Sequence, residues 1–465
     1  MAFHSLHFLA FFPIVLALTW ALRRNLVLRN VALLAASYYF YMSWNVVYGL
    51  LILGMTAIDF LVAGRIAASG DTRIRRRWLL LSLTSNLGML FVFKYYNFFM
   101  DNVGATAAVH HSLALPLGIS FFTFEALSYT IDVYRGVLTP TRSFLRFCLF
   151  ISFFPRMVAG PIIRASHFLP QLERTPRFDD RAAEAGLGRM FLGLFKKLCI
   201  ADVLGTALVD PAFADPAACG SATTWLAMYA YTFQIYYDFS GYSDIALGAG
   251  KMLGFDLPEN FSRPYLATSI RDFWRRWHIS LSTWLRDYLY VPLGGGRGTV
   301  WTTARNLAVV MLLGGLWHGA SWTFVLWGAM HGTLLAAGRL FHSATTIEAD
   351  RADQPPITRL ARRIVTFHLV AACFVVFRAP TFTALREFVG AMVGGGGTGS
   401  SISPVAWLAL FLAAALEWIP LGWIQKVRLL CPRLPCPLQG VLAAASLLLF
   451  SVLGGTGSPF IYFQF

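Results

Sequence analysis

Two histidines, His278 and His318, stand 40 residues apart in sequence that otherwise reads as membrane. The first closes the run Arg271-Asp-Phe-Trp-Arg-Arg-Trp-His278, and the second lies within Leu316-Trp-His-Gly319. Ionisable side chains are costly in a bilayer and persist mainly where they line a wet cavity or do chemistry. A buried active site is therefore the leading expectation. Imidazole can take a proton near neutral pH, and clustered guanidinium groups can hold phosphate or stabilise a developing oxyanion.

On a continuous helix Arg271, Arg275, His278, Ser282 and Arg286 share one face, while Trp274, Trp277, Leu281, Trp284 and Tyr288 form a second stripe. A helix with one cationic and one aromatic face belongs at the membrane interface, or re-enters the bilayer with its charges toward an aqueous funnel. Arg286 suits a lipid phosphate as well as it suits a substrate. A neutral imidazole has little use in a lipid clamp, which separates His278 from its arginine neighbours. Segment 264–297 is accordingly read as re-entrant.

The run Met311 to Gly332 holds two histidines and no formal charge. Were it one helix, His318 and His331 would lie about 20 Å apart along the axis, on nearly opposite faces, and could not share one substrate atom. His331 reads as a hydrogen-bonded packing residue. His318 differs because Gly314, Gly315 and Gly319 surround it, so backbone or ligand can approach its ring.

The elements that must position these residues are helices in a membrane. At 57% hydrophobic and 13% charged residues over 465, with mean hydropathy +0.59, the chain cannot present an ordinary soluble surface. Runs of about 20 apolar residues fall near 8–22, 30–46, 47–64, 78–100, 113–134, 144–163, 187–209, 223–250, 304–316, 318–341, 362–378, 404–420 and 438–456. The expected fold is an all-α polytopic membrane protein with about 11–13 transmembrane or re-entrant helices. One membrane domain, 1–465, is expected, comprising N-terminal helices (1–110), a catalytic core (111–345) and C-terminal helices (346–465). The stretch Ile347 to Pro356 reads as a polar linker and the glycines from Gly394 as a flexible loop. Phe8–Leu22 lacks a basic leader and a small-residue cleavage site, so it reads as a retained helix.

The 38 Lys and Arg against 23 Asp and Glu give +15, in clusters broken by apolar runs rather than on a basic face for nucleic acid. Cytoplasmic loops and anionic lipid account for it better. Arg23, Arg24 and Arg29, then Arg65 to Arg77, then Arg135 to Arg146 follow alternate spans, while Ser43 to Asn45 and Asp101 to Ser112 carry no Lys or Arg, which places the N-terminus outside. Of six cysteines only Cys431 and Cys436 are close, too few for a disulfide framework or metal site. No HExxH, GxSxG or Walker loop occurs, and no histidine pair stands at i, i+4 spacing, so a metal site built on His278, His318 and an aspartate is not favoured and no metal is expected.

Taken together, Tyr236-Tyr-Asp-Phe-Ser-Gly-Tyr-Ser-Asp244, Leu257-Pro-Glu-Asn-Phe-Ser-Arg-Pro-Tyr265, Asp272-Phe-Trp-Arg-Arg-Trp-His278, Arg286-Asp-Tyr-Leu-Tyr-Val-Pro-Leu-Gly-Gly295, Leu316-Trp-His-Gly-Ala-Ser-Trp322 and Phe377-Arg-Ala379 strongly resemble the membrane-bound O-acyltransferase family. The nearest branch by motif is the bacterial one that O-acetylates alginate. The resemblance runs in order over nearly the whole chain and includes Phe153-Phe-Pro-Arg-Met-Val-Ala-Gly-Pro161. It departs at Arg156, where Gln or His is common, and at Ser262, where Asn is usual.

The resemblance implies helices around a tunnel, through which an acyl group from a cytoplasmic donor reaches an acceptor on the far side. It carries the family's essential histidine to His318 and its second motif histidine to His278. Acyl transfer to oxygen needs a base for the hydroxyl proton and donors for the carbonyl oxygen, so His318 is assigned as base. Arg275, Arg276 and His278 are expected to face the donor, acetyl-CoA or another acyl thioester, with Trp317, Trp274 and Asp238 completing the substrate-binding set. No bound cofactor is expected. Asp238 and Asp244 read more readily as partners of buried arginines than as a catalytic pair. The implied partners are an acyl-CoA or acyl-carrier donor, a periplasmic acetyltransferase, a polysaccharide biosynthesis complex and anionic lipid, at the bacterial inner membrane. Two other readings, a polysaccharide or acyl-group transporter and a scaffold recruiting an external acetyltransferase, use the same residues. The absence of an inverted repeat counts against transport.

Overall fold

The computed structural model describes residues 1–104, 110–342, 355–394, 402–419, 435 and 460–461. Among them there is no strand. The expected linker at 347–354, most of the glycine loop, the span at 438–456 and the Cys431–Cys436 pair lie outside the described residues. Cys148, Cys199, Cys219 and Cys373 are free and buried.

Two compact units are distinguished: Met1–Phe191 with Ser243–Glu259, and Leu192–Tyr242 with Asn260–Phe465. The first contains α1 (Leu6–Ala21), α2 (Leu26–Met42), α3 (Val46–Ala68), α4 (Thr72–Leu90), α5 (Tyr96–Asn102), α6 (Ile119–Tyr134), α7 (Phe144–Ser152), α8 (Ala165–Leu172) and most of α9 (Asp180–Phe195). Their starts are written in the sequence: Ser5, Asn25, Asn45, Asp71 and Ser143 each accept a backbone N–H of the first turn. α4 continues through a π-type turn, Phe91–Tyr95, into α5.

Several buried polar groups in this unit are paired, as an apolar solvent favours. Asp59 on α3 accepts from Ser82 Oγ (2.6 Å) and Asn86 Nδ2 (3.0 and 2.9 Å) on α4. Arg156, the departure noted above, pairs with Glu125 on α6, both 1% exposed as side chains. Glu125 Oε1 also accepts the Ile163 N–H at 3.0 Å. This explains why the apolar run 144–163 yields only a short helix. α7 ends at Ser152, and the chain continues as buried, non-helical backbone toward Pro155, Gly160 and Pro161. Similarly, α6 begins at Ile119 rather than 113 because Gly118 takes φ +72° against the Met157 carbonyl, where a side chain would collide.

The second unit contains the end of α9, short helices α10 (Asp202–Leu204) and α11 (Asp210–Ala214) between π-type turns, and α12 (Pro216–Met252), whose last turns belong to the first unit. It continues with α13 (Ile270–Arg276), α14 (Ile279–Leu285), α15 (Val300–His318), α16 (Trp322–His342), α17 (Pro356–Arg378), α18 (Phe382–Gly394) and α19 (Pro404–Trp418). Among the described residues, Val46–Ala68, Thr72–Asn102 and Pro356–Arg378 are long and apolar enough to cross a bilayer; α1, α2 and α19 are shorter apolar helices.

One expectation is corrected here. The segment 264–297 is not one helix: α13 stops at Arg276, and His278 takes a left-handed backbone, φ 43° and ψ 55°, before α14 begins. Met311–Gly332 is divided between two helices, as the separate spans near 304–316 and 318–341 imply. It turns at Gly319–Ser321, and α15 and α16 form a hairpin in which Gly315 meets Gly328 and the Phe324 carbonyl so closely that a Cβ would not fit. Gly315 thus serves helix contact, and Gly319 lies against the Phe324 ring.

Candidate active site

The break at His278 reverses the expected grouping of side chains. Arg271 and Arg275 remain exposed on α13, whereas His278 is 0% exposed. On an unbroken helix the imidazole would have followed the arginines outward; the left-handed residue turns it inward instead. Arg276, half-buried, is held by Asp272 at 2.9 Å. Arg286 is exposed and paired with its neighbour Asp287 at 2.7 Å.

Around His278 the walls are aromatic: Phe239 at 4.7 Å between ring centroids, Trp317 at 6.0 Å and Phe261 at 6.5 Å. A polar contact holds the ring, from Nδ1 to Asn260 Oδ1 at 3.1 Å. The same Oδ1 accepts Ser280 Oγ at 2.9 Å and the Ser280 N–H at 3.2 Å.

His318 ends α15, where the turn to α16 exposes the helix's last carbonyls and brings the ring against the facing helices. It is 5% exposed and enclosed by Trp317 at 5.0 Å, Trp327 at 5.0 Å and Phe377 at 5.2 Å, all edge-on. Trp317 therefore borders both His278 and His318, the two histidines singled out by sequence. Such an enclosure excludes water and leaves a ring nitrogen as the only strong proton acceptor on the residue.

His331 is nearer to this pair than one helix would have allowed. Across the hairpin its ring lies 4.7 Å from Trp327, the tryptophan that also walls His318. Trp274 donates its indole N–H to His331 Nδ1 at 3.3 Å, so the neutral ring carries its proton on Nε2. Phe273 stacks on the other contact face at 6.2 Å. Trp274 and Trp317 thus both touch histidines, and Arg275 stands apart from them on the exposed side.

Asp238 on α12 takes part in a buried triad. Lys197 Nζ lies 2.6 Å from Asp238 and 2.8 Å from Asp202, and Asp238 Oδ2 accepts the Ile461 N–H at 2.7 Å. Its cation is a lysine, not the expected arginine; Asp244 does pair with an arginine, Arg189, at 2.8 Å. Lys197 and Asn260 went unnoticed in the sequence. Lys197 hides in an apolar run, although any lysine there is a flag. Asn260 sits inside a quoted motif with nothing local to mark its partner.

Comparison with known proteins gives a consistent result. The profile of MBOAT, the membrane-bound O-acyltransferase family, matches residues 77–375. The probable alginate O-acetylase AlgI of Pseudomonas aeruginosa is 44% identical over 390 residues, covering 82% of this chain and 72% of that protein. The Azotobacter vinelandii protein of the same name is 45% identical over 376 residues, 78% of this chain and 72% of its own. The peptidoglycan O-acetyltransferase of Helicobacter pylori is 36% identical over 423 residues, 84% and 78% respectively.

Proposed function

The chain belongs to the membrane-bound O-acyltransferase family, and from that premise we propose that it transfers an acetyl group from a cytoplasmic thioester across the inner membrane for O-acetylation of an exported polysaccharide such as alginate. It is an all-helical integral membrane protein and an O-acyltransferase. The donor is acetyl-CoA or an acyl carrier. A periplasmic acetyltransferase and the polymer's biosynthetic complex are its partners, and anionic lipid meets its exposed arginines. The named acceptors of its relatives, alginate and peptidoglycan, support a polysaccharide rather than a lipid acceptor.

The observation carrying this reading is the enclosure of His318 by Trp317, Trp327 and Phe377, with His278 against the same Trp317. In transfer, a hydroxyl oxygen bonds to the thioester carbonyl carbon as His318 accepts its proton. The carbon–sulfur bond then breaks, and the proton passes to the leaving thiolate. His278 serves the donor side of the same step, and Arg275 and Arg276 hold the donor's phosphates. Removal of a base of this kind costs about 10²–10⁴-fold. His318→Gln is accordingly expected to abolish polymer acetylation, measured as acetate released by mild alkali, in cells whose membranes contain normal amounts of the protein. Wild-type acetylation by that variant would remove His318 from the mechanism.

A further inference from the structure

We propose that Asn260 is the positioning residue for His278: it fixes the ring's tautomer and staples the backbone that turns the imidazole inward. This rests on the reading that His278 serves acyl transfer. Asn260 is 1% exposed. Its amide orientation is set by the chain itself, because the Ser280 N–H can only donate, so Oδ1 and not Nδ2 must face it. The Nδ1 of His278, directed at the same oxygen, must then carry the proton. In the neutral ring the lone pair is left on Nε2.

The backbone repeats the hold on either side of the left-handed residue. The Asn260 carbonyl accepts the Ile279 N–H at 2.9 Å, and the Ser262 N–H donates to the Arg276 carbonyl at 2.9 Å. Residues 260–262 are thus bonded to the chain both before and after His278. A non-glycine residue at φ 43° persists only where its surroundings over-determine it, and these bonds do so.

An amide also suits the chemistry better than a carboxylate. A carboxylate on Nδ1 would favour the imidazolium, whereas Asn260 binds the ring without charging it. Phe239, Phe261 and Trp317 present aromatic rings to it. Of the titratable groups on the elements packed here, Asp238 on α12 is held by Lys197, Arg276 on α13 by Asp272, and Glu259, preceding Asn260, by Arg189; Tyr236 and Tyr242 on α12 are phenols, and His318 on α15 is caged by aromatic rings.

The test is the pH dependence of acyl transfer by membrane vesicles carrying the full-length protein, with radiolabelled acetyl-CoA as the probe donor. Asn260→Asp preserves shape but charges the tether. It is expected to move the acidic limb of the rate profile up by about one unit, since the stabilised imidazolium must lose its proton before acting. Asn260→Leu, with no acceptor, is expected to lower kcat about 10-fold or more while leaving the half-saturating donor concentration nearly unchanged. Ser280→Ala removes one donor but not the ring's, and should keep the wild-type limb. An unmoved limb in Asn260→Asp, or an equal movement in Ser280→Ala, overturns the proposal. His278→Gln separates the layers: wild-type turnover there sinks the role of His278 itself, whereas an inactive His278→Gln beside a normally titrating Asn260→Asp sinks only the tether.

Discussion

The two histidine-bearing regions of the second unit are held by different forces. His278 sits between two short helices on a strained residue and is fixed by a directional bond to Asn260. His318 and His331 ride on the long helices of a hairpin and pack against aromatic rings, with Trp327 touching both and the Trp274 indole N–H donating to His331 as well. A directional bond determines which nitrogen carries the proton. Aromatic packing determines where a ring lies. On the proposed mechanism, orientation falls to the loop and proton transfer to His318 of the hairpin.

Breaking the aromatic side of this comparison should have the largest effect. Trp327→Leu removes the wall shared by His318 and His331, and leaves space in a packed core. It is expected to lower acyl transfer about 10- to 100-fold through misplacement of His318. It should also destabilise the purified protein by about 2–3 kcal/mol, below the range for complete truncation of a buried tryptophan, measured by denaturant titration. Activity near wild type with that loss of stability would reduce the cage to packing.

Next in size is the exposed side of the broken helix. Arg275→Ala should raise the half-saturating acetyl-CoA concentration about 10-fold, the equivalent of one charged hydrogen bond of about 1.5 kcal/mol, with no loss of stability. Because His278 faces the other way, kcat should be unchanged. A response only to the anionic lipid content of the vesicles would identify Arg275 as a lipid contact.

The smallest effect is expected at His331. His331→Phe keeps a ring against Trp327 and Phe273 but leaves the Trp274 indole N–H without its acceptor, costing about 1 kcal/mol. Turnover should fall no more than a few-fold. A loss approaching that of His318→Gln would make His331 a partner in proton transfer and erase the distinction between the two rings of the hairpin.

The sequence conveys the helical membrane class because composition and span length are local properties, and it conveys helix starts because Ser, Asn, Asp and Thr caps act within one turn. It also brings forward His278, His318, Trp274 and Trp317, which the structure gathers around shared rings. What it conceals depends on contacts distant in the chain. Periodicity runs straight through Trp277–His278, since nothing in residue type marks a left-handed histidine. The turn at Gly319–Ser321 lacks a proline, so nothing local marks the spans near 304–316 and 318–341 as a hairpin. Lys197 meets Asp238 and Asn260 meets His278 only once the chain has folded back on itself.

The left-handed backbone at His278 has a consequence for how such a site could arise. Let extended Trp277 and left-handed His278 both take ordinary helical angles, a change worth about 1–3 kcal/mol in its favour at the left-handed residue, and α13 and α14 become the continuous helix that the periodicity describes. Its arginines and imidazole would then share a face, and it would be a lipid-binding amphipathic helix of a common kind. The dihedral angles of two residues, Trp277 and His278, separate a surface anchor from the proposed site. Drift toward the anchor is downhill in local energy, so the bonds from residues 260–262 are what selection must maintain for the enzyme to remain one.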